Sequence, residues 1–374
     1  MEKITVIGAG NGGHALAFHL SQKGHKVLLY EHPDFAAHLE GIETKGGIEA
    51  IEGLERNGHK IAAQMSGFAK IHSLTTDMKA AVNFSDILLM IVPSFAQEPL
   101  FSLAMPHLRE GQILVLLPGN FGTLVFKRMM KEAGMDQRVI FAEANTIPYA
   151  CRATGPGEVF ILAMKQGLDF ATLPGNAIAR IGDRLQEILP LKLFLLENVL
   201  EAGLGNANMI VHPATAVLNM GLAESRQGAF YFYKEGMSES VSKVQQKIDD
   251  ERLEIARALD LQAAPFIETV KTFYNLDVKS IKDFAERSPI HSSFGHDGPK
   301  NPLHRYVSED CPYLLVPLYG FGKLLGVETP AIESIIRIAS IYNDTDYLTQ
   351  GRTLESLGLS GMDKGQILEH LNLY

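Results

Sequence analysis

The sequence predicts an α/β fold in two parts: a doubly wound domain built on a mostly parallel sheet, followed by a mainly α-helical domain. Over the first part of the chain, short apolar runs alternate with segments of helical periodicity, as is typical of parallel strands covered by helices. From about Leu204 onward, long helical patterns replace the strands. A chain of 374 residues is also long enough for two domains.

The predicted strands of the first domain are short apolar runs, each followed by a turn or a helical segment. They are Ile4 to Ile7, Lys26 to Tyr30, Ile87 to Val92, Ile113 to Leu117 and Val139 to Phe141. We expect the first domain to span residues 1–200, with a hairpin-like insertion near residues 46–74 and extra strands after residue 145. Residues 201–374 are expected to form the helical domain.

Composition excludes several classes of function. The formal net charge is −9 and the basic residues are scattered, which argues against a nucleic-acid partner. The longest apolar runs fall far short of the roughly 20 residues that cross a membrane. Because Met1 leads directly into a strand, no signal peptide is expected. We therefore expect the protein to be cytoplasmic. Cys151 and Cys311 are expected to be reduced thiols.

A glycine-rich turn follows the first strand and opens the first helix. It consists of Gly8, Ala9, Gly10, Asn11, Gly12 and Gly13. In such a turn, the first glycine permits a tight bend, the second lets the backbone approach a pyrophosphate, and the third lets the helix pack on the strand. The helix N-terminus then favours the phosphates. The sequence therefore predicts a dinucleotide-binding Rossmann domain rather than a surface turn.

Glu31 follows the second strand of this unit. A carboxylate at this position accepts hydrogen bonds from the adenosine ribose hydroxyls and repels a 2′-phosphate, so NAD is expected in preference to NADP. A solvated loop carboxylate is the alternative, and the neighbouring His32 leaves NADP open.

Pro93 and Pro118 each follow a buried strand at the carboxyl edge of the predicted sheet. Ligands bind at this edge in open α/β sheets. We expect the two prolines to wall the nicotinamide pocket, and ordinary strand-ending turns are the alternative.

His212 is the first candidate for acid/base chemistry. Asn208 precedes it by four positions, so a helix through this segment places both side chains on one face. Pro213 disfavours helical geometry at His212 and is expected to kink the helix or start a new one there. A histidine at such a break can point into a cleft, whereas a hydrogen-bonded core histidine is the alternative.

A second polar cluster runs from Asn301 to Tyr313. Arg305 offers a planar fork suited to a carboxylate, and Asp310 or Glu309 could orient a histidine, with a surface salt-bridge network as the alternative. No metal site is expected, because familiar zinc spacing is absent among His291, His296, Asp297 and His304.

Together these segments resemble the opine dehydrogenase family, the octopine/nopaline dehydrogenase type, and in particular its bacterial branch. The similarity extends over nearly the whole chain. The motifs that carry it are residues 8–15, Asn208 to Pro213, Arg305-Tyr306 with Glu309-Asp310, Gly351 to Glu355 and Leu357 to Gly361. The combination is specific, although many dehydrogenases share the glycine turn alone.

The resemblance implies an NAD(P)-dependent oxidoreductase that condenses an α-keto acid such as pyruvate with the amino group of an L-amino acid. The resulting imine is reduced to a secondary amine, and the reverse oxidation is also implied. His212 and Asp310 match the catalytic pair, Arg305 a binder of the substrate carboxylate, and Asn208 a polar substrate contact. Asp310 would hold His212 in one tautomer and favour its protonated form, which assists the loss of water from the carbinolamine.

The resemblance also implies a cleft between the domains as the site and, with the apolar helices near Ala331 to Ile341, a homodimer. A keto-acid reductase of the 6-phosphogluconate or ketopantoate type is one alternative, but such relatives commonly use a lysine. A non-catalytic NAD sensor is another alternative. A sensor would be expected to have lost the histidine–aspartate pair, but this sequence keeps both residues. The segments 230–237 and 291–300 are expected to select the amino acid. They match no member whose substrate can be carried over, so substrate identity stays open.

Overall fold

The computed structural model describes residues 1–56, 59–135, 137–292 and 298–373. Over these residues, the chain divides into two compact units. The first comprises Met1–Ala202 together with Leu371–Tyr374, and the second comprises Gly203–His370. The return of the last residues to the first unit has no signal in the sequence.

The strands of the described chain all belong to the first unit. They are β1 (Lys3–Ile7), β2 (Lys26–Tyr30), β3 (Gly47–Ala50), β4 (Gly53–Arg56), β5 (His59–Ala62), β6 (Gly67–Lys70), β7 (Ser73–Thr75), β8 (Ile87–Met90), β9 (Ile113–Leu116), β10 (Ile140–Ala144), β11 (Tyr149–Gly155), β12 (Glu158–Met164), β13 (Gly167–Leu173) and β14 (Lys192–Leu195).

Within the described residues, eight strands form the main sheet in the order β14-β13-β10-β9-β8-β1-β2-β7. The strands from β7 to β10 in this order are parallel, while β13 runs antiparallel to β10. Strands β8 and β9 are buried along their whole length, which explains their continuous apolar sequence. The prediction of a doubly wound, mostly parallel sheet is therefore confirmed.

The chain crosses from one half of this sheet to the other between β1 and β8, which are hydrogen-bonded neighbours. The loops after these two strands lie at the carboxyl edge of the sheet, where ligands bind in doubly wound folds. The stretch near residues 46–74 forms an antiparallel pair, β3 with β6, and a hairpin of β4 and β5. Strand β3 also pairs with β12.

Helices cover the sheet and form the second unit. They are α1 (Asn11–Gln22), α2 (Ala37–Lys45), α3 (Met78–Phe84), α4 (Ser94–Ala104), α5 (Gly122–Glu132), α6 (Ile178–Ile188), α7 (Val199–Leu204), α8 (Asn208–Leu218), α9 (Met220–Ser225), α10 (Glu239–Ala258), α11 (Phe266–Tyr274), α12 (Ile281–Arg287), α13 (Pro289–Ser292), α14 (Arg305–Ser308), α15 (Val316–Leu325), α16 (Pro330–Tyr342), α17 (Tyr347–Gln350) and α18 (Lys364–His370). In the part of the chain that the structure describes, none of them is both long and apolar enough to cross a membrane.

Helix α10 organises the second unit. Ser238 caps its N-terminus by accepting a hydrogen bond from the Val241 N–H at 3.4 Å, and its buried face carries Val241, Ile248 and Ile255. These residues are seven positions apart, the spacing of one helix face. The face packs against α8, α15 and α16, so the mainly helical second domain is confirmed.

Helix α8 departs from expectation at Pro213. The sequence predicted a kink or a new helix at His212, but one helix runs from Asn208 to Leu218 and contains Pro213. Proline inside a helix costs about 3 kcal/mol. Residues from Met209 to Val217 are all buried, and the packing of this buried segment outweighs the local cost.

Candidate active site

Gly8 and Gly13 are fixed as glycines by the geometry of the first turn. Gly8 has a φ of +102°, and a Cβ there would lie 2.5 Å from Val92 Cγ1. A Cβ at Gly13 would lie 1.8 Å from the carbonyl oxygen of Gly8. Side chains at either position would clash, because carbon atoms in contact normally sit 3.5–4.0 Å apart. The glycines thus let α1 start directly against β1.

Gly10 differs from these two, because a Cβ there would have no protein atom within 4 Å. Gly10 is the N-cap of α1 and provides no side-chain cap for the helix. The first turn of α1 contains no acidic residue. The open side of Gly10 and the positive end of the helix dipole therefore fit a pyrophosphate, which is the role predicted for this turn.

Asn11 stabilises the turn through two further hydrogen bonds. Its side-chain oxygen accepts a hydrogen bond from the Ala153 N–H at 2.9 Å, and its carbonyl oxygen accepts one from Cys151 Sγ at 3.4 Å. Burial raises the pKa of the Cys151 thiol to about 12. This cysteine is therefore a protonated hydrogen-bond donor, not a nucleophile.

The Glu31 carboxylate is nearly buried and holds the same turn. Oε2 accepts a hydrogen bond from the Ala9 N–H at 3.0 Å, and Oε1 accepts one from the His32 N–H at 2.9 Å. The Nδ1 atom of His38 lies 2.9 Å from Oε2. A carboxylate offers about four lone-pair sites, so Oε1 keeps capacity for a ribose hydroxyl. Sequence reasoning missed His38, because its contact depends on the path of α2.

Pro93 and Pro118 lie in two loops that are hydrogen-bonded to each other. Pro93 precedes α4 as its N-cap. Gln97, on α4, donates a hydrogen bond to the carbonyl oxygen of Pro118 at 2.9 Å. The Asn120 side chain donates one to Ser94 Oγ at 2.8 Å. Hydrogen bonds thus join the two segments that contain these prolines, which follow β8 and β9.

Glu143 fixes the second of these loops and was not anticipated from the sequence. It is fully buried on β10 and accepts hydrogen bonds from the backbone N–H groups of Phe121 at 3.0 Å and Thr123 at 3.2 Å. It also accepts one from the Thr123 hydroxyl. A Cβ at Gly119 would lie 1.9 Å from Glu143 Oε2. The carboxylate therefore satisfies the N-terminus of α5 from inside the protein.

The second unit brings His212 and Asp310 together, although 98 positions separate them in the sequence. His212 Nδ1 lies 2.8 Å from Asp310 Oδ2, and both residues are buried. Because an ionised carboxylate only accepts hydrogen bonds, Nδ1 carries the proton of this contact. Nε2 is then the nitrogen that exchanges protons with other groups.

Aromatic side chains surround the imidazole of His212. The Tyr306 ring stacks on it with centroids 4.0 Å apart, and Phe232 meets it edge-on at 6.2 Å. The Tyr233 hydroxyl lies 3.2 Å from Nε2. Burial, followed by nearby Tyr306, raises the pKa of Tyr233 well above 10. Sequence reasoning placed residues 230–237 near the substrate but did not single out Tyr233.

Arg305 and Asn208 lie close in sequence to the hydrogen-bonded pair of His212 and Asp310, here called the dyad. Arg305 is the first residue of α14, its side chain is 53% exposed, and Nε lies 3.3 Å from Glu309 Oε2. Asn208 begins α8, one turn before His212. In the described part of the chain, neither side chain is hydrogen-bonded to the dyad.

The remaining histidines of the region do not form a metal site in the residues that the structure describes. His291 accepts or donates a hydrogen bond with Ser288 Oγ at 2.7 Å, and His304 accepts one from the Tyr306 N–H at 3.3 Å. His296 and Asp297 lie outside the described residues.

Comparisons with known proteins agree with both units. A family model for the α-helical domain of NAD/NADP octopine/nopaline dehydrogenase matches residues 195–343. A model for the N-terminus of NAD-dependent glycerol-3-phosphate dehydrogenase matches residues 3–133. An opine dehydrogenase of Arthrobacter sp. (strain 1C) is 34% identical over 359 residues, which cover 96% of this chain and 95% of the relative.

Solved structures share the fold over nearly the whole chain. Octopine dehydrogenase with NADH and L-arginine superimposes with a TM-score of 0.76 at 21% identity, covering 98% of both chains. The same enzyme with NADH and pyruvate gives a TM-score of 0.74 at 20% identity, covering 96% of both.

Proposed function

Because the chain belongs to the opine dehydrogenase family and is an NAD(P)-dependent oxidoreductase, we propose that it reduces the imine formed between a 2-oxo acid and an amino acid. The hydrogen-bonded pair of His212 and Asp310 is the observation that carries this proposal. Bound NADH supplies the hydride that reduces the imine carbon. The product is a secondary amine that carries both carboxylates.

His212 acts as the general acid and base. Its protonated Nε2 is the source of the proton that the hydroxyl of the carbinolamine takes up; the carbon–oxygen bond breaks, and water leaves as the carbon–nitrogen double bond forms. Asp310 accepts the Nδ1–H throughout and stabilises the cationic ring. In the oxidative direction, neutral Nε2 takes the proton back when water adds to the imine.

The glycine turn and Glu31 hold the cofactor. The open side of Gly10 receives the pyrophosphate, and the free lone pair of Glu31 Oε1 receives a ribose hydroxyl. Glu31 repels a 2′-phosphate, so NADH is preferred to NADPH. The loops of Pro93 and Pro118 wall the nicotinamide.

Arg305 and Asn208 orient the substrate. Arg305 is half-exposed and remains cationic beside Glu309, so the N–H groups along its planar edge donate to a substrate carboxylate. Asn208 offers an amide one helical turn from His212. Together they would hold the imine carbon in position for the hydride, which is catalysis by orientation.

An amine-dependence assay tests the proposal. Purified protein is mixed with NADH and pyruvate, with and without a panel of L-amino acids, and NADH oxidation is followed by absorbance. We expect turnover that requires both the keto acid and an amino acid. Turnover with the keto acid alone identifies a simple keto-acid reductase, and NADH binding without turnover under any combination identifies a sensor.

A homodimer formed by the helical unit is part of the proposal. Four apolar side chains are exposed at the ends of neighbouring elements: Leu218, Leu303, Ile341 and Tyr342. The Tyr342 hydroxyl donates to the Val217 carbonyl oxygen, and Asn343 donates to that of Pro302, so these ends form one surface. Light scattering should give about 82 kDa, twice the 41.1 kDa chain, and a 41 kDa particle would exclude the dimer.

A further inference from the structure

The route of the proton to and from His212 is restricted by its neighbours. Nδ1 is engaged by Asp310, and Tyr306 covers a face of the ring. Among the described residues, Tyr233 is the one hydrogen-bond partner of Nε2, at 3.2 Å. A proton that enters or leaves His212 therefore does so at the nitrogen that faces the Tyr233 hydroxyl.

The Tyr233 hydroxyl can transfer a proton without itself becoming ionised. Burial, and then Tyr306 and Tyr274, raise its pKa well above 10, so the phenol stays protonated at any ordinary assay pH. A neutral hydroxyl donates one hydrogen bond and accepts others. It donates to Nε2 when the imidazole is neutral, and it accepts from Nε2–H when the imidazole is protonated.

The ring of Tyr233 is held by other aromatic groups. Phe232 meets it edge-on with centroids 5.2 Å apart, and His291 does so at 4.8 Å. Edge-to-face contacts of this kind fix a ring orientation. The hydroxyl is thus kept at Nε2 by packing on its ring, not by the hydrogen bond alone.

We propose that Tyr233 relays the proton between His212 and the substrate. This inference rests on the proposed function. As the carbon–oxygen bond of the carbinolamine breaks, the departing oxygen takes the phenolic proton of Tyr233. The Tyr233 oxygen takes the proton of His212 Nε2 in the same step. The products are water, the protonated imine, neutral His212 and an unchanged Tyr233, so atoms and charge balance.

The variant Tyr233→Phe removes the relay oxygen and keeps the ring. We expect kcat to fall about 10- to 100-fold, somewhat less than the loss of a complete acid/base group, while the Kd of NADH stays unchanged. Tyr274→Phe is the matched control. Its ring contacts His291 at 5.3 Å and belongs to the same aromatic group, but its hydroxyl is not bonded to His212, so it should keep wild-type kcat.

Two further measurements separate a relay from a structural role. In a His212→Ala background, Tyr233→Phe should cost little more, because the tyrosine acts through the histidine. The rate of the wild-type enzyme in mixtures of H2O and D2O should curve with deuterium content, since two protons move in one step. The wild-type measurement does not depend on the folding of a variant.

The outcomes are distinguishable. Wild-type kcat in Tyr233→Phe, or a linear dependence on deuterium content in the wild-type enzyme, would overturn the relay and leave the proposed reaction standing. Failure of the wild-type enzyme to consume NADH with any amino acid would instead overturn the proposed reaction and the relay with it.

Discussion

The Glu31 carboxylate has two tasks that a solvated carboxylate would not have. It accepts the Ala9 N–H inside the glycine turn and contacts His38, so it stabilises the turn in addition to the ribose contact proposed for it. A substitution that removes only its charge must therefore keep an acceptor for Ala9. Glutamine meets this condition.

Replacing Glu31 by Gln should narrow the preference for NADH over NADPH by about 1 to 3 kcal/mol, the worth of charged hydrogen bonds and lost repulsion. Dissociation constants for both cofactors from fluorescence titration give the comparison. Glu40→Gln, on an exposed position of α2, is the control and should leave both constants unchanged. An undiminished preference in Glu31→Gln would remove Glu31 from cofactor selection.

His212 and Asp310 should behave as one unit when substituted. His212→Ala should lower turnover by about 10²- to 10⁴-fold, the usual contribution of an acid/base group, with unchanged NADH affinity. Asp310→Asn should also lower turnover, because an amide no longer stabilises the cationic ring. Steady-state kinetics of the double variant should show a loss much smaller than the product of the two single losses. Wild-type turnover in His212→Ala would return His212 to the status of a core residue.

Helix α14 is short, and its importance lies in what it carries. His304 is its N-cap and accepts a hydrogen bond from the Tyr306 N–H. The helix then presents Arg305 and Tyr306 and leads to Asp310, which precedes a π-helical turn at Cys311–Leu315. The positions of Arg305, Tyr306 and Asp310 thus depend on one turn, which His304 caps.

Stability at mildly acid pH depends on the same cap. Burial, followed by the charges of His212 and Arg305, lowers the pKa of His304 from 6.5 to about 4. Between these values, the unfolded chain binds a proton that the folded chain does not, so the free energy of unfolding falls as pH drops from about 6.5 to about 4.

The variant His304→Asn should keep the cap, since asparagine is a good N-cap residue, and should remove this proton. Urea unfolding of the whole chain, followed by circular dichroism at pH 7.5 and pH 5, should show a smaller loss of stability at pH 5 in the variant than in the wild type. Some loss remains in both proteins, because burial also lowers the pKa of His19 to about 4. An identical pH dependence in variant and wild type would contradict the assignment.

The whole molecule divides into features that local sequence determines and features that depend on distant contacts. The parallel sheet was predictable, because strands such as Ile87–Met90 and Ile113–Leu116 are buried on both faces and therefore apolar throughout. The glycine turn was also predictable from local sequence, because its conformation excludes a Cβ at Gly8 and Gly13.

Tertiary packing decided the rest. The pairing of His212 with Asp310 joins residues 98 positions apart, and spacing could not reveal it, whereas resemblance to a family could. Tyr233 and Glu143 gave no signal, since a tyrosine or a glutamate in an apolar segment has many possible neighbours. At Pro213, burial of the surrounding helix overrode a local preference for a break.

The path of the chain has a consequence for its synthesis. The carbonyl oxygen of Leu371 accepts a hydrogen bond from the Gly175 N–H at 2.8 Å, and that of Leu373 accepts one from Lys127 Nζ at 2.7 Å. On the ribosome, the rest of the nucleotide-binding unit emerges long before these residues are translated. Its last hydrogen bonds can form only after the entire helical unit has been made. A polypeptide released early would therefore carry a nucleotide-binding unit that lacks its closing segment, whatever the state of the helices that follow residue 202.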